Sequence, residues 1–283
     1  MATDVWRRFA RNRLSLVGLG VVALLAFCAI AAGHLSRYDP NAIDPSIIGS
    51  AQPPSAAHLF GTDVDGRDYF TRMLFGARIS LEVGFSAMIV AVTLGTVYGV
   101  VSAFYGGAVD AVMMRFVDMM LSFPTFFLIL TVEALTNNFN FVVIMLVIGL
   151  LSWMGVARLV RGQVLSLRER DFVSAARAMG ADDGRIIARH LLPNALAPVI
   201  VAATLAIGDN ILIEAGLSYL GVGVQIPTPS WGNSLQKALD PDVQSAPWLI
   251  FIPGALIVIT VVAFNFVGEG LRDALDPKTR GAA

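Results

Sequence analysis

Two carboxylates, Asp209 and Glu214, sit in an otherwise apolar stretch of this 283-residue chain. An ionisable group inside a hydrocarbon layer costs roughly 2.5–3.5 kcal/mol on insertion scales, so it is kept for a ligand, an ion path or a partner charge. The pair is therefore a candidate for a translocation path, where a carboxylate could meet an amino group or a partner's arginine. Pairing inside a helix bundle, for instance with Arg115, is the competing reading. Five residues turn a helix by about 500°, so the two share a face only loosely. With Glu133 they could also relay protons, as a secondary transporter requires. Asp63, Asp65 and Asp68 alternate with glycines in the segment from Phe60 to Asp68 and suggest a calcium-like loop. The spacing of an EF-hand is absent, and the segment reads as a structured loop before an interfacial helix. A membrane-embedded enzyme would need a catalytic constellation. The sequence has no Gly-x-Ser-x-Gly, no His-Glu-x-x-His, no Ser-Lys pair within apolar runs and no phosphate loop, and His34, His58 and His190 are scattered. The chain is read as non-catalytic, binding no cofactor or metal of its own.

The elements that must position these groups are membrane helices. The chain is 56% hydrophobic and 14% charged with a mean hydropathy of +0.70, more apolar surface than one soluble core of that length needs. A net charge of -1 supplies no basic field for nucleic acid, and one cysteine, Cys28, supplies no disulfide framework. A hydrocarbon core of about 30 Å needs about 20 apolar residues in helix. Leu14 to Gly33 meets that length; the competing reading is a secretory signal, for which Gly33-His34-Leu35 is a poor cleavage site. Further spans are expected over Val83 to Val109, Phe116 to Leu135, Phe141 to Ala157, Ala195 to Gly223 and Pro247 to Val267, six in all. Thr136, Asn137, Asn138 and Asn140 suggest a tight turn between the third and fourth. Asp118 and Glu133 bracket the third span and are expected at its interfaces.

Six spans put both termini on one side. That side collects fifteen of the twenty basic residues, including Arg7, Arg8, Arg11, Arg13, Arg158, Arg161, Lys278 and Arg280, so both termini are expected to be cytoplasmic. The resulting division is an amino-terminal segment 1–13, a first span 14–33, an outer loop 34–78, spans two to four over 79–157, an inner loop 158–193, spans five and six over 194–270 with an outer loop 224–246, and a tail 271–283. In the last outer loop, Pro227-Thr228-Pro229-Ser230-Trp231-Gly232 reads as a rigid turn followed by an aromatic at headgroup level.

The inner loop is polar and strongly helix-forming. Asp171 is a candidate N-cap, and Phe172, Ala175, Ala176 and Met179 follow one helix face. That helix should stop at Gly180. Asp182 and Asp183 then open a second short helix through Ile186, Ile187 and His190, closed by Leu192-Pro193-Asn194. Small residues ringed by Arg177, Arg185 and Arg189 suit a groove on another protein, or an amphipathic hairpin lying on lipid headgroups.

The segment Ser174-Ala175-Ala176-Arg177-Ala178-Met179-Gly180 with His190-Leu191-Leu192-Pro193 resembles the EAA loop of binding-protein-dependent ABC importers, and its ending is similar to the dipeptide, oligopeptide and nickel branch. The resemblance extends to Trp6-Arg7-Arg8-Phe9, Gly76-Ala77-Arg78-Ile79-Ser80-Leu81, Ala157 to Gly162, Ser218-Tyr219-Leu220-Gly221, Pro229 to Gly232 and Gly270 to Pro277. The general pattern's leading glutamate is Ser174 here. The resemblance implies an all-α, six-span type I permease in a bacterial inner membrane. Its implied partners are a second permease, two cytoplasmic ATPases holding ATP and Mg, and an extracytoplasmic binding protein. It also implies that Ser174, Ala175, Ala176, Gly180, Arg185, His190, Leu192 and Pro193 couple to the ATPases. Peptide is the expected solute, with nickel or another solute as the alternative; a proton-coupled secondary transporter is disfavoured by the large inner loop and the lack of an inverted repeat.

Overall fold

The computed structural model describes residues 2–136, 141–237 and 246–275. The expected Asn-rich turn, the basic residues Lys278 and Arg280 and the end of the last motif at Asp276-Pro277 lie outside them. Among the described residues the chain is helical apart from one isolated bridge between Thr62 and Asp68. The order is α1 (Ala2–Phe9), α2 (Arg13–Ile30), α3 (Ala32–Leu35), α4 (Tyr69–Tyr105), α5 (Gly107–Leu121), α6 (Thr125–Thr136), α7 (Phe141–Arg168), α8 (Asp171–Ala178), α9 (Asp183–Ile186), a π-turn (Ile187–Leu191), α10 (Leu192–Tyr219), α11 (Trp231–Lys237) and α12 (Trp248–Leu275).

Among the described residues, five helical stretches are long and apolar enough to cross a membrane: α2, α4, α7, the continuous run Asp183–Tyr219, and α12. The third expected span is not one helix. α5 ends at Leu121 and α6 starts after Pro124 with an 80° change of direction. Proline offers no N–H, and it drives the residue before it out of the helical region, so Phe123 is where the apolar run breaks. Counted as one bent crossing, α5 and α6 bring the total to six.

Several helices outrun their expected spans. α4 begins at Tyr69, where Asp68 caps it by accepting from the Thr71 N–H at 2.8 Å, so the outer loop closes ten residues earlier than its expected end at Arg78. α7 continues to Arg168 and carries Arg158 and Arg161 on helix instead of loop. At 1.5 Å per residue the 37 residues of α4 measure about 55 Å, well beyond the hydrocarbon layer.

The bundle is built on close backbone approach. α4 and α7 lie together where Gly95 and Gly99 face Trp153, Val156 and Ala157; a Cβ at Gly99 would stand 2.5 Å from the Ala157 carbonyl oxygen. Within lipid no hydrophobic drive separates helix from tail, so small residues that admit such contacts carry the association. Three buried clusters follow. One joins α2, α4, α10, α11 and α12 around Tyr69, Ile211 and Trp231. One packs α6 and α7 on α4 around Ile129 and Ile148. The third lies where α4 and α7 end and α10 begins, and it includes Val173 of α8 and Ile186 of α9.

Candidate functional site

The segment between α7 and α10 is fused to that third cluster. Val173 of α8 is buried there with Ile186 and Leu191, and Ala176 on the same side is buried too, so one side of the short helix is part of the bundle core. Phe172, Ala175 and Met179 fall on the other side; Met179 is 82% exposed. The expected single apolar face is thus split. Ala176 points inward, whereas Ala175 and Met179 form an outward knob with Phe172, whose ring lies 6.3 Å from that of His190.

α8 opens one residue before its expected cap. Arg170 holds the extended cap position, and Asp171 is the first helical residue, where its charge still favours the helix amino terminus. The closure is as expected. Gly180 has φ +81°, its N–H donates to the Arg177 carbonyl at 3.0 Å, and the Ala181 N–H donates to the Ala176 carbonyl at 3.1 Å. This pair of bonds is a Schellman closure, and it needs a left-handed residue at the turn. Asp182 caps α9 by accepting from the Arg185 N–H at 2.9 Å.

The expected stop at Leu192-Pro193-Asn194 is not there. The chain passes through a π-turn in which the Leu192 N–H donates to the Ile187 carbonyl, and it continues as α10 to Tyr219. The wider turn accommodates Pro193, which lacks an N–H and would crowd a regular helix. Asn194 completes the turn, its amide donating to the His190 carbonyl at 2.7 Å. Ser174, Ala175, Gly180, Arg185 and Pro193 are therefore exposed on one continuous unit, with His190 and Leu192 half-buried at its hinge.

Ion pairs unforeseen from sequence tie this unit's base to the α4–α5 elbow. Arg161 donates through Nε and Nη2 to both oxygens of Asp110 at 2.6 Å, Ser102 donates to the same carboxylate, and Arg158 pairs with Asp118. Arg168 donates to the Ala103 carbonyl at 2.7 Å. The basic residues were visible as a patch; their acidic partners lie 40 or more positions away and carried no local signal.

The structure separates the two carboxylates expected to share a path. Glu214 is fully buried: Ser80 Oγ donates to Oε2 at 3.0 Å and Ser218 Oγ to Oε1 at 2.7 Å. The Val224 N–H donates in turn to Ser218 Oγ, linking this network to the outer loop. Trp231 lies beside it, wholly buried, with its indole N–H donating to the Met73 carbonyl at 3.1 Å. Its hydrogen-bond partners are serines, not Arg115. Glu133 is also fully buried within the chain. Asp209 is exposed in mid-helix. It lies one turn beyond Leu205 on the α10 stripe Pro198, Ala202, Leu205, which floors a cavity of about 700 Å³ between α7 and α12. Gln163, Asn265, Glu269 and Arg272 supply the polar walls of that cavity.

The outer aspartates serve structure. Asp63 Oδ1 accepts from the Asp65 and Arg67 N–H groups at 3.0 and 2.9 Å, and Oδ2 faces Arg72 at 3.7 Å. Asp65 pairs with Arg67 and with Lys237 of α11, while Asp68 holds His58 at 2.8 Å. Among the described residues no group of three such side chains could hold a metal ion. In the same loop the Ser46 hydroxyl, aided by its backbone N–H, holds the Asp44 carboxyl below the usual carboxylate range.

Residues 73–281 match the family described as binding-protein-dependent transport system inner membrane component, and residues 1–54 match the N-terminal TM domain of oligopeptide transport permease C. The chain is 42% identical to the dipeptide transport system permease protein DppC of Alkalihalophilus pseudofirmus, over 98% of this chain and 90% of the relative. It is 44% identical to the oligopeptide transport system permease protein OppC of Escherichia coli, over 98% and 91%. Among solved structures it resembles a chain of the MetNI methionine ABC transporter in inward facing conformations, with a TM-score of 0.60, 20% identity, and coverage of 73% of this chain and 97% of that one.

Proposed function

Because the chain belongs to the family of binding-protein-dependent transport system inner membrane components, we propose that it forms half of a path for dipeptides or oligopeptides and that α8 and α9 couple this path to cytoplasmic ATPases. The chain is a multi-span permease subunit of an ABC importer. The peptide assignment rests on relatives that carry dipeptide and oligopeptide names at nearly full length. ATP and Mg belong to two partner ATPases, and the remaining partners are a second permease and an extracytoplasmic binding protein that presents the solute. Both termini face the cytoplasm, as the excess of basic residues on their side favours.

One observation carries the coupling reading: a small exposed knob, Phe172, Ala175 and Met179, on a helix whose reverse face is welded into the core. A knob of this kind seats in a partner's groove, and a load on it reaches α7 through Val164 and α10 through Leu191 and Ala195 without an intervening flexible segment. ATP-driven closure of the ATPases would then move the unit as a lever, and the spans would alternate their access. Ser174, Ala175, Gly180, Arg185 and Pro193 present the contact surface, with Ala176, His190 and Leu192 setting its seat.

Asp209 is the group of this chain assigned to the solute. An exposed carboxylate in mid-span requires a partner charge, and a peptide amino group supplies one. Replacing Asp209 with asparagine should lower peptide uptake about tenfold, the loss of one charge-assisted hydrogen bond, while basal ATP hydrolysis by the complex stays intact. Equal uptake by the variant would remove Asp209 from the path. The function as a whole is tested by mild-detergent purification of the tagged chain. Recovery of a second permease and ATPase subunits, with hydrolysis stimulated by a peptide-loaded binding protein, is the expected result. A lone oligomer without hydrolysis would overturn it.

A further inference from the structure

The amino-terminal helix takes no part in the coupling unit or in the path. α1 is strongly amphipathic: Phe9 is buried, and Trp6 stacks on it at 5.9 Å with its outer face 56% exposed. Asp4, Arg7, Arg8 and Arg11 line a cavity of about 390 Å³. Immediately beyond, Asn12 caps α2 by accepting from the Leu14 and Ser15 N–H groups, so the cavity stands within a turn of a membrane-crossing helix.

We propose that this cavity is a binding site for an anionic phospholipid headgroup of the leaflet next to α1. Three guanidinium groups face one carboxylate around the cavity, leaving it net positive. The guanidinium groups of Arg7 and Arg11 each present the planar pair of N–H donors that suits a phosphate diester, and Arg8 adds its charge. The height is set by the chain: an exposed tryptophan before the first span belongs at the headgroup level, and Arg13 adds a further charge at the start of that span. A free phosphate would meet the same donors, but only a lipid also places acyl chains along the apolar start of α2, where Leu14, Leu16 and Val17 are exposed. The site has a mechanical address. Phe9 and Ser15 press on Gly270 of α12, where an added Cβ would lie 3.0 Å from the Phe9 ring and 2.1 Å from Ser15 Oγ. Two residues further on is Arg272, a wall of the large cavity. A bound lipid therefore fixes the end of α12 that lines that cavity.

The test is native mass spectrometry of the complete importer in mixed phosphatidylglycerol and phosphatidylcholine, which reads binding independently of transport. The wild-type complex is expected to retain phosphatidylglycerol preferentially. The triple variant Arg7→Gln, Arg8→Gln, Arg11→Gln should lose at least about tenfold of that preference, since each basic residue near a membrane surface contributes roughly fivefold. Arg78→Gln, on the opposite side, should lose none. If the triple variant fails to assemble, Arg11→Gln alone, at an exposed position, should lose roughly fivefold. An unchanged preference in the variant that assembles would overturn the site. Displacement of the lipid by inorganic phosphate would reassign it to a free anion and overturn the lipid proposal.

Discussion

Valine at position 180 is expected to reduce peptide uptake to background while the subunit stays inserted and bound to its partners. A Cβ at Gly180 would meet no atom within 4 Å, so the defect does not come from a clash. It comes from the backbone. At φ +81° a β-branched residue is a conformational outlier, at a cost of roughly 1–3 kcal/mol. A helix of eight residues has little intrinsic stability with which to oppose that cost. The turn would unwind, the Ala181 to Ala176 bond would be lost, and the knob would leave its position relative to α9. Asparagine tolerates the left-handed region, so Gly180→Asn should keep most of the activity. Uptake in cells, normalised to membrane-inserted protein, separates these outcomes. Comparable uptake by Gly180→Val and Gly180→Asn would show that the turn does not transmit the load.

Removal of the Glu214 carboxylate should have the second largest effect, on stability instead of specificity. Glu214→Ala leaves two buried serine hydroxyls without their acceptor and opens a cavity beside Trp231, and about 2–4 kcal/mol of stability should go with it. Glu214→Gln retains an acceptor oxygen of the same size and should remain within about 1 kcal/mol of the native protein. Thermal unfolding of the purified complex measures both. In either variant, uptake per folded complex should be unchanged, because the carboxylate is sealed from the path. A peptide-selective defect in Glu214→Gln, at native stability, would return Glu214 to the path.

Hydropathy revealed where the chain crosses the membrane because composition over about 20 residues is a local property. It misplaced the ends, since helices such as α7 continue past the apolar layer on polar residues that hydropathy reads as loop. The glycine stop at Gly180 was legible because only one residue type suits that backbone. The break at Pro124 was written in the sequence but hidden within a strongly apolar run. The continuity through Pro193 was not legible: a proline is ordinarily a stop, and the π-turn that absorbs it has no sequence pattern of its own. At the site, the residues proposed to couple stand together in one segment, so the sequence could single them out as a group. Which side of α8 faced outward could not, because small apolar residues occupy both sides. The separation of Asp209 from Glu214 depended on Ser80, which is 134 positions from Glu214 and meets it only once α4 and α10 pack.

The π-turn also governs what evolution can edit. Each residue inserted into or deleted from an α-helix rotates everything beyond it by about 100° and shifts it by about 1.5 Å. From Asp183 to Tyr219 the chain is one helix with a single wide turn, at Ile187–Leu191. That turn holds a five-residue step where its neighbours hold four. It fixes the rotational phase between the surface proposed to meet the ATPases and the stripe that carries Asp209. Length in this stretch is therefore constrained more tightly than side-chain identity: a residue can be added or dropped only by re-indexing both ends at once.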